Sequence, residues 1–66
     1  MKLDKVKGRL RENNITYNEL SSMIGMSVTT FNNKINGKQR FYIDEIKKIS
    51  KILNFTDEEK IDIFLN

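Results

Sequence analysis

Ser27, Val28, Thr29, Asn32, Asn33 and Asn36 are short side chains, all but one of them hydrogen-bonding, and there is no carboxylate among them. On a helix whose Phe31 and Ile35 face inward, at the i, i+4 spacing, they occupy the outer face. Solvated helix faces usually carry Glu and Lys, which have better helix propensity than Asn and Thr. The chemistry open to this face is hydrogen bonding to base edges. Asn pairs bidentately with adenine, Thr reaches either kind of base, and a Val methyl can touch the thymine methyl. A plain polar surface helix is the competing reading. Directly beyond lies Lys38-Gln39-Arg40, a basic loop suited to a sugar-phosphate backbone, where cations position a protein and strengthen binding without reading sequence. Asn36 and Gly37 can add a side-chain amide and a close backbone N–H to the same strand.

Such a helix needs a second one to hold it. Thr16 and Glu19 have the spacing of a capping box, and Ile15 and Leu20 that of a hydrophobic staple. Leu20, Met23 and Ile24 then fall on one face at i, i+3 and i+4. Gly25 stops this helix in the left-handed conformation that glycine adopts without steric cost. Ser27 caps the next helix, Met26 and Phe31 repeat the staple, and Asn36-Gly37 closes it. Only Gly25 and Met26 remain between the two. So short a connection forces a sharp corner, as in a helix-turn-helix.

The flanking segments read as three further helices. Residues 2–13 carry Leu3, Val6 and Leu10 inward, with Lys2, Lys5, Lys7, Arg9 and Arg11 around them and Asn13-Asn14 as the stop. Gly8 inside this helix costs about 1 kcal/mol relative to Ala and could mark a close approach to another helix or to a phosphate. Phe41–Leu53 forms the core strut, with the stripe Ile43, Ile46, Ile49, Ile52 and Leu53. Its acids come first and its lysines later, which suits the helix dipole. Tyr42 sits where a capping residue is expected, so this start is weakly signalled. Asn54 ends the strut, and Thr56 and Glu59 repeat the capping box for a helix through Leu65. There Ile61, Phe64 and Leu65 form the stripe and Ile63 lies off it. These residues pack on the core, form a dimer surface, or both.

At 66 residues the chain has room for one small all-α domain, a compact five-helix bundle over residues 1–66. It has no cysteine and no histidine, so neither disulfides nor a histidine metal site is expected. No membrane-length apolar run and no signal peptide is present, which leads to an expectation of a cytoplasmic location. No catalytic constellation, phosphate loop or ligand cluster stands out, so no enzyme activity, cofactor or small-molecule ligand is expected. The net charge of +3 is unevenly placed: 11 Lys/Arg against 5 Asp/Glu in residues 1–56, and one Lys against four acids in residues 57–66. The basic excess travels with the candidate DNA-binding part.

With these motifs in view, the chain resembles the lambda-repressor-like, Cro-type helix-turn-helix domains of phage and bacterial regulators, the XRE family. The resemblance covers roughly residues 3–55. It rests on ITYNEL, on IGMSVTTFNNKING and on ISKILNF, with Phe31 at the family's buried aliphatic position. It implies base contacts at Ser27, Val28, Thr29 and Asn33, with Asn32 beside them. It also implies backbone contacts at Tyr17, Asn36, Lys38 and Arg40, and binding of operators as two-fold dimers with half-sites about 34 Å apart. The chain departs from the family's usual Gln at Tyr17, Glu at Ile35 and aliphatic residue at Lys34. Ile35 removes an acid that often pairs with a first-helix arginine, and an apolar contact is expected in its place.

The expectation is a Cro-like phage or prophage repressor, a homodimer that blocks a promoter sterically. From the short length, no inducer pocket, self-cleaving domain or separate oligomerisation domain is expected. Three alternatives stand beside it: the antitoxin of a toxin–antitoxin pair, holding a protein through the Phe64–Leu65 end, a protein-interaction module that has kept the fold but does not bind DNA, and an isolated helical scaffold.

Overall fold

Helix boundaries follow the capping chemistry. In this computed structural model, which describes residues 1–65, the chain forms α1 (Leu3–Glu12), α2 (Tyr17–Met23), α3 (Val28–Ile35), α4 (Ile43–Ile52) and α5 (Asp57–Phe64), with no strand among the described residues. Thr16 Oγ1 accepts from the Glu19 N–H at 3.0 Å while the Glu19 carboxylate accepts from the Thr16 N–H at 2.9 Å. Thr56 and Glu59 repeat this box at 3.1 and 2.9 Å. Both boxes satisfy helix-terminal N–H groups that otherwise lack partners. Tyr42 caps α4 without a side-chain bond, and only the return half of a box forms there. The Glu45 carboxylate accepts from the Tyr42 N–H at 2.8 Å.

Three of the four connections are one device used repeatedly. Residues 13–16, 24–27 and 53–56 each supply a C-cap, a left-handed residue, an apolar residue and a hydroxyl N-cap. The left-handed residues are Asn14 (φ 54°), Gly25 (φ 76°) and Asn54 (φ 56°). In each case the next N–H closes back on the helix just ended: Ile15 to the Leu10 carbonyl, Met26 to Ser21 and Phe55 to Ser50, all at 2.9 Å. This is a Schellman closure, and its apolar residue turns into the core. The α3–α4 connection, residues 36–42, departs from the pattern. Gly37 is left-handed (φ 81°) and Lys38 N–H closes on the Asn33 carbonyl at 2.8 Å, but the residue at the apolar position is a lysine. Its side chain is exposed, as are those of Gln39 and Arg40.

The core joins Val6 and Leu10 of α1, Leu20 and Ile24, Phe31 and Ile35 of α3, Phe41, Ile49 and Leu53, and Phe55, Ile63 and Phe64. Phe31 is its centre, with the Tyr17 ring edge-on at 5.4 Å and the Phe41 ring tilted at 5.9 Å. Ile35 is buried, so an apolar contact stands at the expected position.

Several expected inward faces are rotated. Met23 is 58% exposed, not inward. On α2 the buried arc runs from Leu20 through Ile24 and Tyr17 to Ser21, and Met23 lies about 60° outside it at about 100° per residue. Ile43, placed on the α4 stripe, is 70% exposed and lies about 60° outside the arc of Ile49, Leu53 and Ile46 at about 100° per residue. On α5 the expectation reverses. Ile63 is fully buried and belongs to the core, with Phe64 beside it, whereas Ile61 and Leu65 form an outward ridge. Gly8 makes no close helix contact, since a Cβ there meets nothing within 4 Å.

Candidate nucleic-acid interface

The geometry of α3 decides what its outer face can do. With Phe31 and Ile35 inward, Asn32, Asn36, Thr29 and Asn33 fall on one continuous arc about 100° wide, opposite the core, and Val28 lies at its edge. Thr29 and Asn36 are exposed, and Val28, Asn32 and Asn33 half-exposed. The side chains of Thr29, Asn32 and Asn33 make no hydrogen bond among the described residues, so their donors and acceptors remain free for a ligand. Ser27 is different. Its hydroxyl accepts from the Thr30 N–H at 3.1 Å and donates to Thr30 Oγ1 at 2.9 Å. A hydroxyl has one proton and two lone pairs, so Ser27 retains one acceptor position only.

The expected backbone-contacting residues gather around this helix. Tyr17 opens α2 with its ring packed on Phe31, which fixes the phenol relative to α3. Asn36 caps the C-terminal end of α3. Lys38 and Arg40 project from the following connection and have no ion-pair partner among the described residues. No acidic side chain occurs between Glu19 and Asp44, so the segment that holds all of the site but Tyr17 carries only cations.

Lys34 was missed as a functional candidate, and the structure gives it a defined place. Its side chain is only 5% exposed and its ammonium donates to both Glu45 oxygens, at 2.7 and 2.8 Å. The Tyr42 ring covers the same ammonium at 4.1 Å from its centroid. The end of α3 is thereby clamped to the start of α4. No local pattern in the sequence marks this pair, because its members stand eleven residues apart on two different helices.

The basic face of α1 divides in two. Lys2 and Lys5 pair with Asp62, and Arg9 pairs with Glu59. Arg9 also donates to the Leu53 carbonyl at 2.8 Å and stacks over Phe55 at 4.8 Å. The acidic α5 thus neutralises one side of α1. The hydrogen bonds from Lys2 and Lys5 hold the Asp62 carboxyl at about 2, well below the usual carboxylate range. Glu59 is lowered by the Thr56 N–H and then by Arg9. Glu19 is lowered by the Thr16 N–H and hydroxyl.

The residues expected at a dimer surface separate. Phe64 is 5% exposed and packs edge-on against Phe55 at 6.3 Å, so its ring belongs mainly to the core. Ile61 (54%) and Leu65 (76%) are exposed and, with Ile43, Ile46 and the rim of Phe64, line an apolar groove between α4 and α5. Among the described residues no group of acidic, Cys or His side chains is placed to hold a metal ion, and no helix is long and apolar enough to cross a membrane.

A family model described as the Cro/C1-type HTH DNA-binding domain matches residues 5–59. No curated protein and no solved structure matches the chain.

Proposed function

This chain belongs to the Cro/C1-type helix-turn-helix DNA-binding family, and we propose that it is a sequence-specific regulator which lays α3 in the major groove of an operator. One observation carries this reading: the outward arc of α3 offers Thr29, Asn32 and Asn33 with unoccupied hydrogen-bonding groups and no acid nearby. In the proposed complex Asn32 and Asn33 read base edges, with Thr29 and Val28 adding contacts at neighbouring pairs. Ser27 contributes through its one remaining acceptor position. Tyr17, Asn36, Lys38 and Arg40 hold the phosphates on either side and fix the register of the helix.

Two copies then bind a two-fold operator, as in a Cro-like phage or prophage repressor, and block transcription by occupying a promoter. The α4–α5 groove supplies the apolar surface for the second copy, through Ile43, Ile61 and Leu65. That same exposed groove supports the second reading, an antitoxin whose DNA-binding helix is retained and whose groove holds a toxin.

Selection of bound sequences from a random duplex pool tests the repressor reading. Enrichment of an inverted repeat with half-sites about 34 Å apart is the expected result. Sequence-blind binding, or none, overturns the repressor reading. A single enriched half-site keeps base readout and removes the dimer.

A further inference from the structure

We propose that Lys7 of α1 is an additional contact to the DNA backbone, made beside Asn36 at the end of the reading helix; this rests on the DNA-binding reading above. Lys2, Lys5 and Arg9 share one flank of α1, the one that meets Asp62 and Glu59 of α5. Lys7 lies about 140–200° around the helix from them. Its stem is half-buried, and it lines a surface groove with Ile35 and Asn36. Across 29 residues of sequence its ammonium donates to Asn36 Oδ1 at 3.4 Å.

That partner is neutral. Asp4 lines the same groove but forms no ion pair with Lys7. The Lys7 charge is therefore not cancelled by a carboxylate, in contrast to Lys2, Lys5 and Arg9. An ammonium has three donors, and one long bond to an amide leaves at least two for phosphate oxygens. The position completes a row. Lys7 meets Asn36 at the C-terminal end of α3, and Lys38 and Arg40 follow in the connection just beyond, so a strand contacted at that end of α3 lies beside Lys7 as well.

A structural role competes with this assignment, because a cation at a helix C-terminus also offsets the dipole of α3. Salt dependence separates the two. Each phosphate neutralised steepens the fall of log K with log salt by about 0.9, whereas a dipole contribution within the protein does not. The test is a salt titration of binding to the selected duplex, or to a random-sequence duplex if selection yields no winner. Intact wild type, Lys7→Gln, Lys7→Arg and Lys5→Gln are compared, each verified as folded by circular dichroism. Lys7→Gln is expected to flatten the slope by about 0.9 per bound chain and to weaken all duplexes alike, about five- to tenfold. Lys7→Arg is expected to restore the slope and Lys5→Gln to leave it unchanged. An unchanged slope in Lys7→Gln, with wild type still binding in a salt-dependent manner, overturns the Lys7 assignment alone. Absence of any salt-dependent binding by wild type overturns the DNA-binding reading and the Lys7 assignment together.

Discussion

The Lys34 ammonium donates to both oxygens of Glu45, and this pair holds the end of α3 against the start of α4 across the one long connection in the chain. Removing one member leaves the other charge largely without water. Lys34→Ala is expected to cost about 3 kcal/mol, the low end for a broken buried pair because Glu45 retains some exposure and its bond from Tyr42. The double variant Lys34→Met/Glu45→Gln is expected to recover most of that loss, since an apolar stem and a neutral amide need no counter-charge. Urea unfolding of Lys34→Met, Glu45→Gln and the double variant gives the coupling energy, and additive effects would refute the clamp.

Gly25 turns the corner between α2 and α3 at φ 76° with nothing near its missing Cβ. The expense of a side chain there is conformational, not steric contact with neighbours. Gly25→Ala is expected to destabilise by about 1–2 kcal/mol. Gly25→Asn is expected to cost clearly less, because Asn14 and Asn54 already occupy this conformation in equivalent connections. Equal losses for the two, measured by thermal unfolding, would contradict that equivalence.

Base reading and backbone holding predict different binding profiles. Asn33→Ala is expected to relax preference at one or two base pairs, each by roughly 1–3 kcal/mol, and Lys38→Ala to weaken all sequences about equally. Binding to a panel of single-base operator variants distinguishes them. Uniform weakening by both would remove Asn33 from base readout.

The carboxyl of Asp62 is held at about 2 by bonds from Lys2 and then Lys5. A lowered folded-state pKa stabilises above the unfolded carboxylate range, and that contribution is lost as pH falls through that range toward 2. Asp62→Asn is therefore expected to lower the Tm at neutral pH, with the deficit shrinking as the solution is acidified to about pH 2. A deficit independent of pH would mean that the two lysines do not act on the charge.

The α4–α5 groove separates assembly from folding. Ile43→Glu and Leu65→Glu, both on exposed positions, are expected to leave the monomer folded and to make association weaker by sedimentation. Phe64→Ala is expected to cost about 3–5 kcal/mol, since its ring is in the core. Unaltered sedimentation in both glutamate variants would exclude the groove as the dimer contact.

Local signals made the helix ends readable and tertiary choices did not. Thr16 with Glu19, Gly25 and Thr56 with Glu59 announce boundaries through bonds that close within a few residues, so sequence order contains the whole interaction. The buried arc is another matter. On α5 two apolar pairs point to opposite sides, and only packing of Phe55 and Arg9 against the helix decides that Ile63 goes in and Ile61 stays out. Met23 and Ile43 were misplaced for the same reason: spacing defines a stripe but not the few tens of degrees by which a short helix is rolled. Lys34 with Glu45 and Lys7 with Asn36 meet across a connection or across the fold, and no local pattern marks either contact. The outward arc of α3 was legible because it depends only on Phe31 and Ile35 being buried.

The three matching connections have a consequence for how the molecule meets a duplex. Each is closed by backbone bonds at both ends, so α2 and α3 travel as one stiff unit and little ordering entropy is lost when α3 docks. The connection of residues 36–42, where the cations are, is held as well, by the Lys38 N–H on the Asn33 carbonyl and by the Lys34–Glu45 pair that bridges it. In the proposed complex the angle between α3 and the bases, and the position of Lys38 and Arg40 beside it, are therefore set before binding. On that proposal an operator that does not suit the angle must itself bend, and part of the discrimination is expected to fall to the stiffness of DNA steps that no side chain touches.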